Sequence, residues 1–338
     1  MSLHVVLGKG PVGSTLTDLL VSQGHQVRVL SRSGGGGSSG GGSGEGGSGG
    51  GGSGGGRSGG GGSGAVEHRA VDAADPRALT AATSGAAALY NCASPAYHRW
   101  AQDWPPIADA LLTAAEASGA VLVIMSNLYG YGPVDGPMTE DLPLAATSVK
   151  GRVRAAMWEK ALARHEAGAL RAVEARASDF VGPGVVDGGY LGARVVPRVL
   201  AGKRVSIIGD PDRPHTWTAL DDVAASLVVL ATDERAWGRP WNVPSAPPVS
   251  QREAVAGLCR AAGVDTVKVA SVPHLVIRGL GLAMPAMREL EEIRYQFVRP
   301  FVLDSRAFTE TFGLAATPLE QTWTQTVQWW RDRQSLAA

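Results

Sequence analysis

The stretch "VVLGKGPVGS", residues 5 to 14, constrains the fold more than any other part of the chain. "HVVLG" is a short apolar run ending in glycine, and "STLTDLLVSQG" behind it has helical periodicity. Gly8, Gly10 and Gly13 therefore spell G-x-G-x-x-G at a strand-to-helix junction. There the first glycine permits a tight turn, the second lets backbone approach a pyrophosphate, and the third lets the helix pack closely on the strand. The helix N-terminus favours the negative charge. Gly8, Lys9, Gly10, Val12 and Gly13 are thus expected to hold a dinucleotide. The plainer alternative is an ordinary turn that holds nothing.

Such a junction opens a strand-helix-strand unit, and the alternation continues once one segment is set aside. Over residues 34–64 the sequence is glycine and serine except for Glu45 and Arg57, with 22 glycines among those 31 positions. It has nothing apolar to bury and much backbone entropy to lose, so a coil outside the fold is expected there. Around it "QVRVLSR", "VEHRAVD", "AAALYNCAS", "AVLVIMSN" and "LRAVEARASDF" read as strands, while "PIADALLTAAEASG" and "RVRAAMWEKALARHEAG" read as helices. This order predicts an α/β fold: a Rossmann-type, doubly wound parallel sheet binding its ligand at the carboxyl ends of the strands.

Composition narrows the partners. Lysine plus arginine equals aspartate plus glutamate, 31 each, so no overall field draws the chain to nucleic acid or an anionic membrane. Cys92 and Cys259 are too few for a disulfide framework. Met1 leads straight into an apolar strand without a basic export segment, and the late apolar stretch "VASVPHLVIRGLGLAMPAM" is broken by Pro273, His274, Arg278 and Pro285. A cytoplasmic protein is expected, without metal-ligand spacing, acting on a small molecule. Trp323, Trp329 and Trp330 are spaced for core packing or for a homodimer interface.

The end of the second strand bears on which dinucleotide fits. An NAD site places Asp or Glu there to accept hydrogen bonds from the ribose hydroxyls. This strand ends "LSRS", with Ser31 in the expected place of the carboxylate and Arg32 beside it. Arg32, with Lys9 in the turn, could bind a 2′-phosphate, so NADP(H) is favoured over NAD(H). A solvated Arg32 is the alternative. Asp72 in "VDAADP" could accept from the adenine amino group or cap the next helix, a role Asp75 fills at least as well.

Taken together, "GKGPVG", "VDAADP", "LYNCASP", "MSNLYGYGP", "ARASDFVGPG", "IGDPDRPHTWTALDDVA" and "WNVPSAPPVS" resemble, in order, the extended short-chain dehydrogenase/reductase superfamily of the NAD-dependent epimerase/dehydratase type. The resemblance implies a cofactor domain over residues 1–184 and a smaller C-terminal substrate lobe over 185–338, with 219–245 returning to the first domain. It also implies that Ala93 and Ser94 line the cofactor near its nicotinamide half.

One departure bears on chemistry. The family uses a tyrosine four residues before a lysine, with a serine on the preceding strand. Here the lysine in the right region is Lys150, and Ala146 stands four residues before it. A methyl group neither gives nor takes a proton. Ser126 lies near the family serine, with Met125 the other alignment, and Tyr129 or Tyr131 could be a displaced proton donor. Lys150 could keep a ribose contact or begin a solvated basic helix with Arg152 and Arg154. His98 and Trp100, and His215 with Trp217, could face the substrate from loops but read more readily as structural, and Asp221 reads as a helix cap. Two functions follow: an NAD(P)-dependent oxidoreductase or epimerase-like enzyme on a small carbonyl or hydroxyl metabolite, or a non-catalytic NADP(H)-binding sensor or regulatory protein.

Overall fold

The computed structural model describes residues 1–35, 65–186, 189–276, 279 and 291–336. Beyond Gly35, the coil expected over 34–64 lies outside the described residues, as do 280–287 of the late apolar stretch.

Strand and helix alternate from the first residues as β1 (Leu3–Leu7), α1 (Pro11–Ser22), β2 (Gln26–Ser31), β3 (Val66–Ala70), α2 (Pro76–Thr83), β4 (Ala86–Asn91), α3 (Trp100–Ser118), β5 (Val121–Asn127), α4 (Val149–Glu166) and β6 (Ala172–Ala177). Shorter elements follow: β7 (Asp179–Val181), α5 (Val196–Leu200), β8 (Val205–Ile207), β9 (Pro214–His215), β10 (Trp217–Ala219), α6 (Leu220–Thr232), β11 (Pro240–Asn242), β12 (Val249–Ser250), α7 (Gln251–Ala262) and β13 (Val269–Ser271). A helix over Leu319–Ser335 ends the described chain.

Seven strands form one sheet in the order β11, β6, β5, β4, β1, β2, β3, every neighbouring pair parallel. Parallel strands buried on both faces need apolar residues on both, and β5 supplies them. Val121, Val123 and Met125 pack toward α1 and α6, whereas Leu122 and Ile124 pack toward α2, α3 and α4. Chain order reverses between β4 and β1, which opens a crevice at their carboxyl ends. The later residues have their own core, where α5, α7 and the Leu319–Ser335 helix bury Val199, Leu258, Trp323 and Trp330.

Three local expectations are corrected. Helix α1 begins at Pro11 rather than Ser14, since proline suits a first helical turn whose N–H has no intrahelical acceptor. Helix α3 begins at Trp100, with Pro105 and Pro106 inside it, because Trp100 and Trp104 bury against Met157 and hold the extra turn. Asp221 does not cap α6: the N-cap is Ala219, and Asp221 stands exposed in the first turn.

Candidate functional site

The glycine turn sits at the mouth of the crevice. Gly8 has φ +107°, and a side chain there would also strike the Cys92 carbonyl 2.7 Å away, so the turn is pressed against the end of β4. A Cβ on Gly13 would lie 2.0 Å from the Gly8 oxygen. Gly10 differs: nothing lies within 4 Å of the side-chain position, so the backbone there is open to an incoming group. Gly10 is the N-cap of α1, no side chain caps that end, and no acidic residue occupies the first turn. The first-turn N–H groups of Val12 and Gly13 have no backbone partner among the described residues. An uncapped helix end with open approach fits a diphosphate.

At the far side of the turn, Ser31 ends β2 and its hydroxyl accepts from the Gly34 N–H at 3.2 Å. Arg32 is exposed and lies within electrostatic reach of Asp103. Lys9 donates to the hydroxyl of Ser33, the residue after Arg32, at 2.7 Å. Asp72 is exposed at the end of β3 and accepts from the Ala74 N–H, while Asp75 caps α2 through the Arg77 and Ala78 N–H groups.

Two loops meet beyond the adjacent ends of β4 and β5. After β4 come half-buried Ala93 and exposed Ser94, then a turn of 3-10 helix over Tyr97–Arg99. After β5 comes a second such turn over Tyr129–Tyr131, anchored by the Tyr129 N–H donating to Asn127 Oδ1. The Tyr97 hydroxyl donates to the Tyr129 hydroxyl at 2.9 Å. Burial pushes the Tyr129 phenol up to about 12, with the Asp179 carboxylate adding to the rise. Burial likewise drives Tyr97 far above the ordinary phenol range, with Tyr129 contributing next. Both are therefore protonated donors at neutral pH. Tyr131 is turned into the core against Leu128, Met138 and Phe301, and its hydroxyl accepts from Arg176 at 2.7 Å. Strand alternation puts the two candidates for the serine position on opposite faces: Met125 faces α1 and α6, and Ser126, buried, faces the α4 side.

Lys150 stands in the first turn of α4 and is 2% exposed, so the solvated helix start is overturned for it. Its ammonium donates to Glu292 Oε2 at 2.7 Å, its backbone N–H donates to Glu292 Oε1, and it lies 4.7 Å from the centre of the Tyr97 ring. Arg154, one turn later, is also buried, its guanidinium over the rings of Trp100 and Trp104 and its Nη1 donating to the Met125 carbonyl at 3.4 Å. Arg152 remains exposed. Across the cleft, Asp179 begins β7 and its Oδ2 accepts from buried His215 Nε2 at 2.7 Å.

The model of the NAD dependent epimerase/dehydratase family matches residues 5–243. The chain belongs to that family. No curated protein matches it. Among solved structures, MoeE5 in complex with UDP-glucuronic acid and NAD is 21% identical at TM-score 0.73, covering 98% of this chain and 100% of its own. The dTDP-glucose 4,6-dehydratase of Bacillus anthracis str. Ames, in complex with NAD, is 16% identical at TM-score 0.74, covering 99% of this chain and 98% of its own. The UDP-glucuronic acid 4-epimerase of Bacillus cereus, in complex with NAD, is 14% identical at TM-score 0.72, covering 98% and 99%. At these identities the likeness is one of fold.

In this epimerase/dehydratase family member the cleft holds residues that local sequence reasoning passes over. Tyr97, Glu292 and Arg154 carry no motif of their own, Asp179 lies within "ARASDFVGPG" without being singled out, and His215 reads as an isolated histidine. One signal was available for Tyr97. It follows Ser94 by three residues in the loop after β4, and adjacent parallel strands bring their carboxyl-end loops together. Among the described residues no helix is long and apolar enough to cross a membrane.

Proposed function

We propose that the protein is an NADP(H)-preferring enzyme of the epimerase/dehydratase type, acting on a small carbonyl or hydroxyl metabolite, with Tyr129 as its proton donor. The observation that carries this reading is the 2.9 Å contact between the Tyr97 and Tyr129 hydroxyls at the adjacent ends of β4 and β5. A nucleotide-holding protein has no need of two half-buried, hydrogen-bonded phenols there. The residues around the glycine turn, with Ala93 and Ser94 at the end of β4, would hold the cofactor, which when bound supplies hydride transfer. Tyr129 donates its proton to the substrate oxygen, and Tyr97, hydrogen-bonded behind it, orients the hydroxyl. The Lys150 ammonium lies over the Tyr97 ring with its charge matched by Glu292. Ser126, on the α4 side of β5, supplies a further hydroxyl near the reacting oxygen.

The preference for NADP(H) rests on Ser31 where a carboxylate would repel a 2′-phosphate, and on Arg32 and Lys9 nearby. Fluorescence titration should show tighter binding of NADPH than NADH, and Arg32→Ala should weaken NADPH about tenfold, the lower end of a charge-assisted contact at an exposed site, without changing NADH. Tighter binding of NADH refutes the preference. For the chemistry, Tyr129→Phe should reduce turnover of any responsive carbonyl at least a hundredfold with NADPH binding intact. A rival reading, a cofactor-binding regulator, is favoured by Ala146 four residues before Lys150 and by the commitment of Lys150 to Glu292. NADPH binding without oxidation across a broad carbonyl panel would establish the rival.

A further inference from the structure

Asp179 is held in place from two sides. Its backbone is fixed by pairing of β7 with β10, and its Oδ2 is held by His215, which is itself packed against Trp217 and Phe301 with ring centres 4.5 and 5.3 Å away. The Asp179 side chain keeps 23% of its surface, and Oδ1 has no hydrogen-bond partner among the described residues. That carboxylate acts on the cleft: it contributes to the raised phenol values of Tyr97, Tyr129 and Tyr190, three side chains from three different loops. The buried ammonium of the same cleft, Lys150, is matched by Glu292 and so does not offset it. Several structures that share this fold hold nucleotide sugars, whose diphosphates carry negative charge.

We infer that Asp179, locked by His215, sets the substrate class of this cleft, admitting uncharged or cationic hydroxyl compounds and turning away phosphate esters. This rests on the reading of the Tyr129 cleft as a substrate site. A fixed, partly desolvated carboxylate interacts unfavourably with an anion over several ångströms, because neither the protein nor confined water screens it as bulk solvent does. The hydrogen bond from His215 prevents the side chain from swinging away to relieve the repulsion.

The test is calorimetric titration of the NADPH-loaded protein with UDP-glucose, for the wild type, Asp179→Asn and Asp109→Asn. Asp109 is an exposed acid on α3 paired with Lys160, and its replacement removes the same unit of charge far from the cleft. The expected result is at least tenfold tighter UDP-glucose binding by Asp179→Asn alone. Equal affinity in wild type and Asp179→Asn, measurable or not, overturns the inference, as does an equal gain in Asp109→Asn. NADPH titration of the same samples separates the two readings: failure of the wild type to bind NADPH refutes the proposed enzyme, whereas UDP-glucose affinities report on Asp179 alone.

Discussion

Gly10→Ala separates a dinucleotide site from a turn that merely joins a strand to a helix. Gly10 has φ −71° and ψ −177°, a conformation alanine adopts without strain, and its side-chain position has no neighbour within 4 Å. As an N-cap, alanine is worse than glycine by up to about 1 kcal/mol. Against that, the unfolded chain loses freedom worth about 0.4–1 kcal/mol. The two nearly cancel, so the melting temperature should move by less than about 2 °C in a chain of this size. Binding is another matter, because the added methyl stands where the diphosphate would approach. Displacing even one charge-assisted hydrogen bond costs about 1.5–3 kcal/mol, so NADPH should bind at least about tenfold more weakly. Gly13→Ala is the contrast. Its Cβ would sit 2.0 Å from the Gly8 oxygen and 3.0 Å from the Gly8 carbonyl carbon, both backbone, so the turn must shift by about 1 Å. That overpacking should cost about 1–3 kcal/mol of stability and NADPH affinity together. Thermal melts paired with fluorescence titrations read both quantities. Undiminished NADPH binding by Gly10→Ala, with losses confined to Gly13→Ala, would show that the turn is structural and refute the cofactor assignment.

Two further predictions concern buried charge. Glu292→Gln removes the carboxylate that pairs with Lys150, whose side chain is 3% exposed, and should cost about 3 kcal/mol in chemical denaturation. In the wild type, burial raises the Glu292 carboxyl, but the hydrogen bonds from Lys150 outweigh it and leave the value below the ordinary 4.5. The stability this group contributes is therefore present above pH 4.5 and is lost as the pH falls further, a component that Glu292→Gln should lack. Burial, with His25 adding to it, lowers His4 to about 4 from 6.5, so the unfolded chain takes up a proton that the fold refuses. Stability should fall between pH 6.5 and pH 4 by about 3 kcal/mol for this group, and His4→Phe should flatten that slope. Denaturation midpoints at pH 7 and pH 5 check this, and equal slopes in the two proteins would rule it out.

The sheet was legible because its signals are local. Each core strand is a short apolar run beside a glycine or a polar loop, and alternation alone implies parallel pairing. The strands expected at "HVVLG", "QVRVLSR", "AAALYNCAS" and "AVLVIMSN" overlap β1, β2, β4 and β5, the third running three residues past the end of β4. Element starts were harder, because contacts made elsewhere decide them. The proline pair in α3 marks a helix start by propensity, yet burial of Trp100 and Trp104 against Met157 extends the helix before it. The spacing Gly8, Gly10, Gly13 is likewise local, whereas the partners of Lys150 and His215 are not: Glu292 lies 142 residues from Lys150, and Asp179 lies 36 from His215. No periodicity or propensity specifies such pairs.

What does specify them is strand order, and that bears on the alanine found four residues before Lys150. Once β4 and β5 are neighbours, any phenol in the first turn after β4 lies near any phenol in the first turn after β5, and Tyr97 and Tyr129 occupy those positions. Helix α4 then fixes Lys150 over the Tyr97 ring. Ala146, four residues before Lys150, offers no phenol from the chain ahead of α4, yet the cleft is not without phenols, because two arrive from the strand ends. Their mutual hydrogen bond makes a specific demand: if Tyr97 only packs, Tyr97→Phe should leave the pH dependence of turnover unchanged. If it holds the Tyr129 proton in position, the same substitution should shift that profile while NADPH binding stays constant.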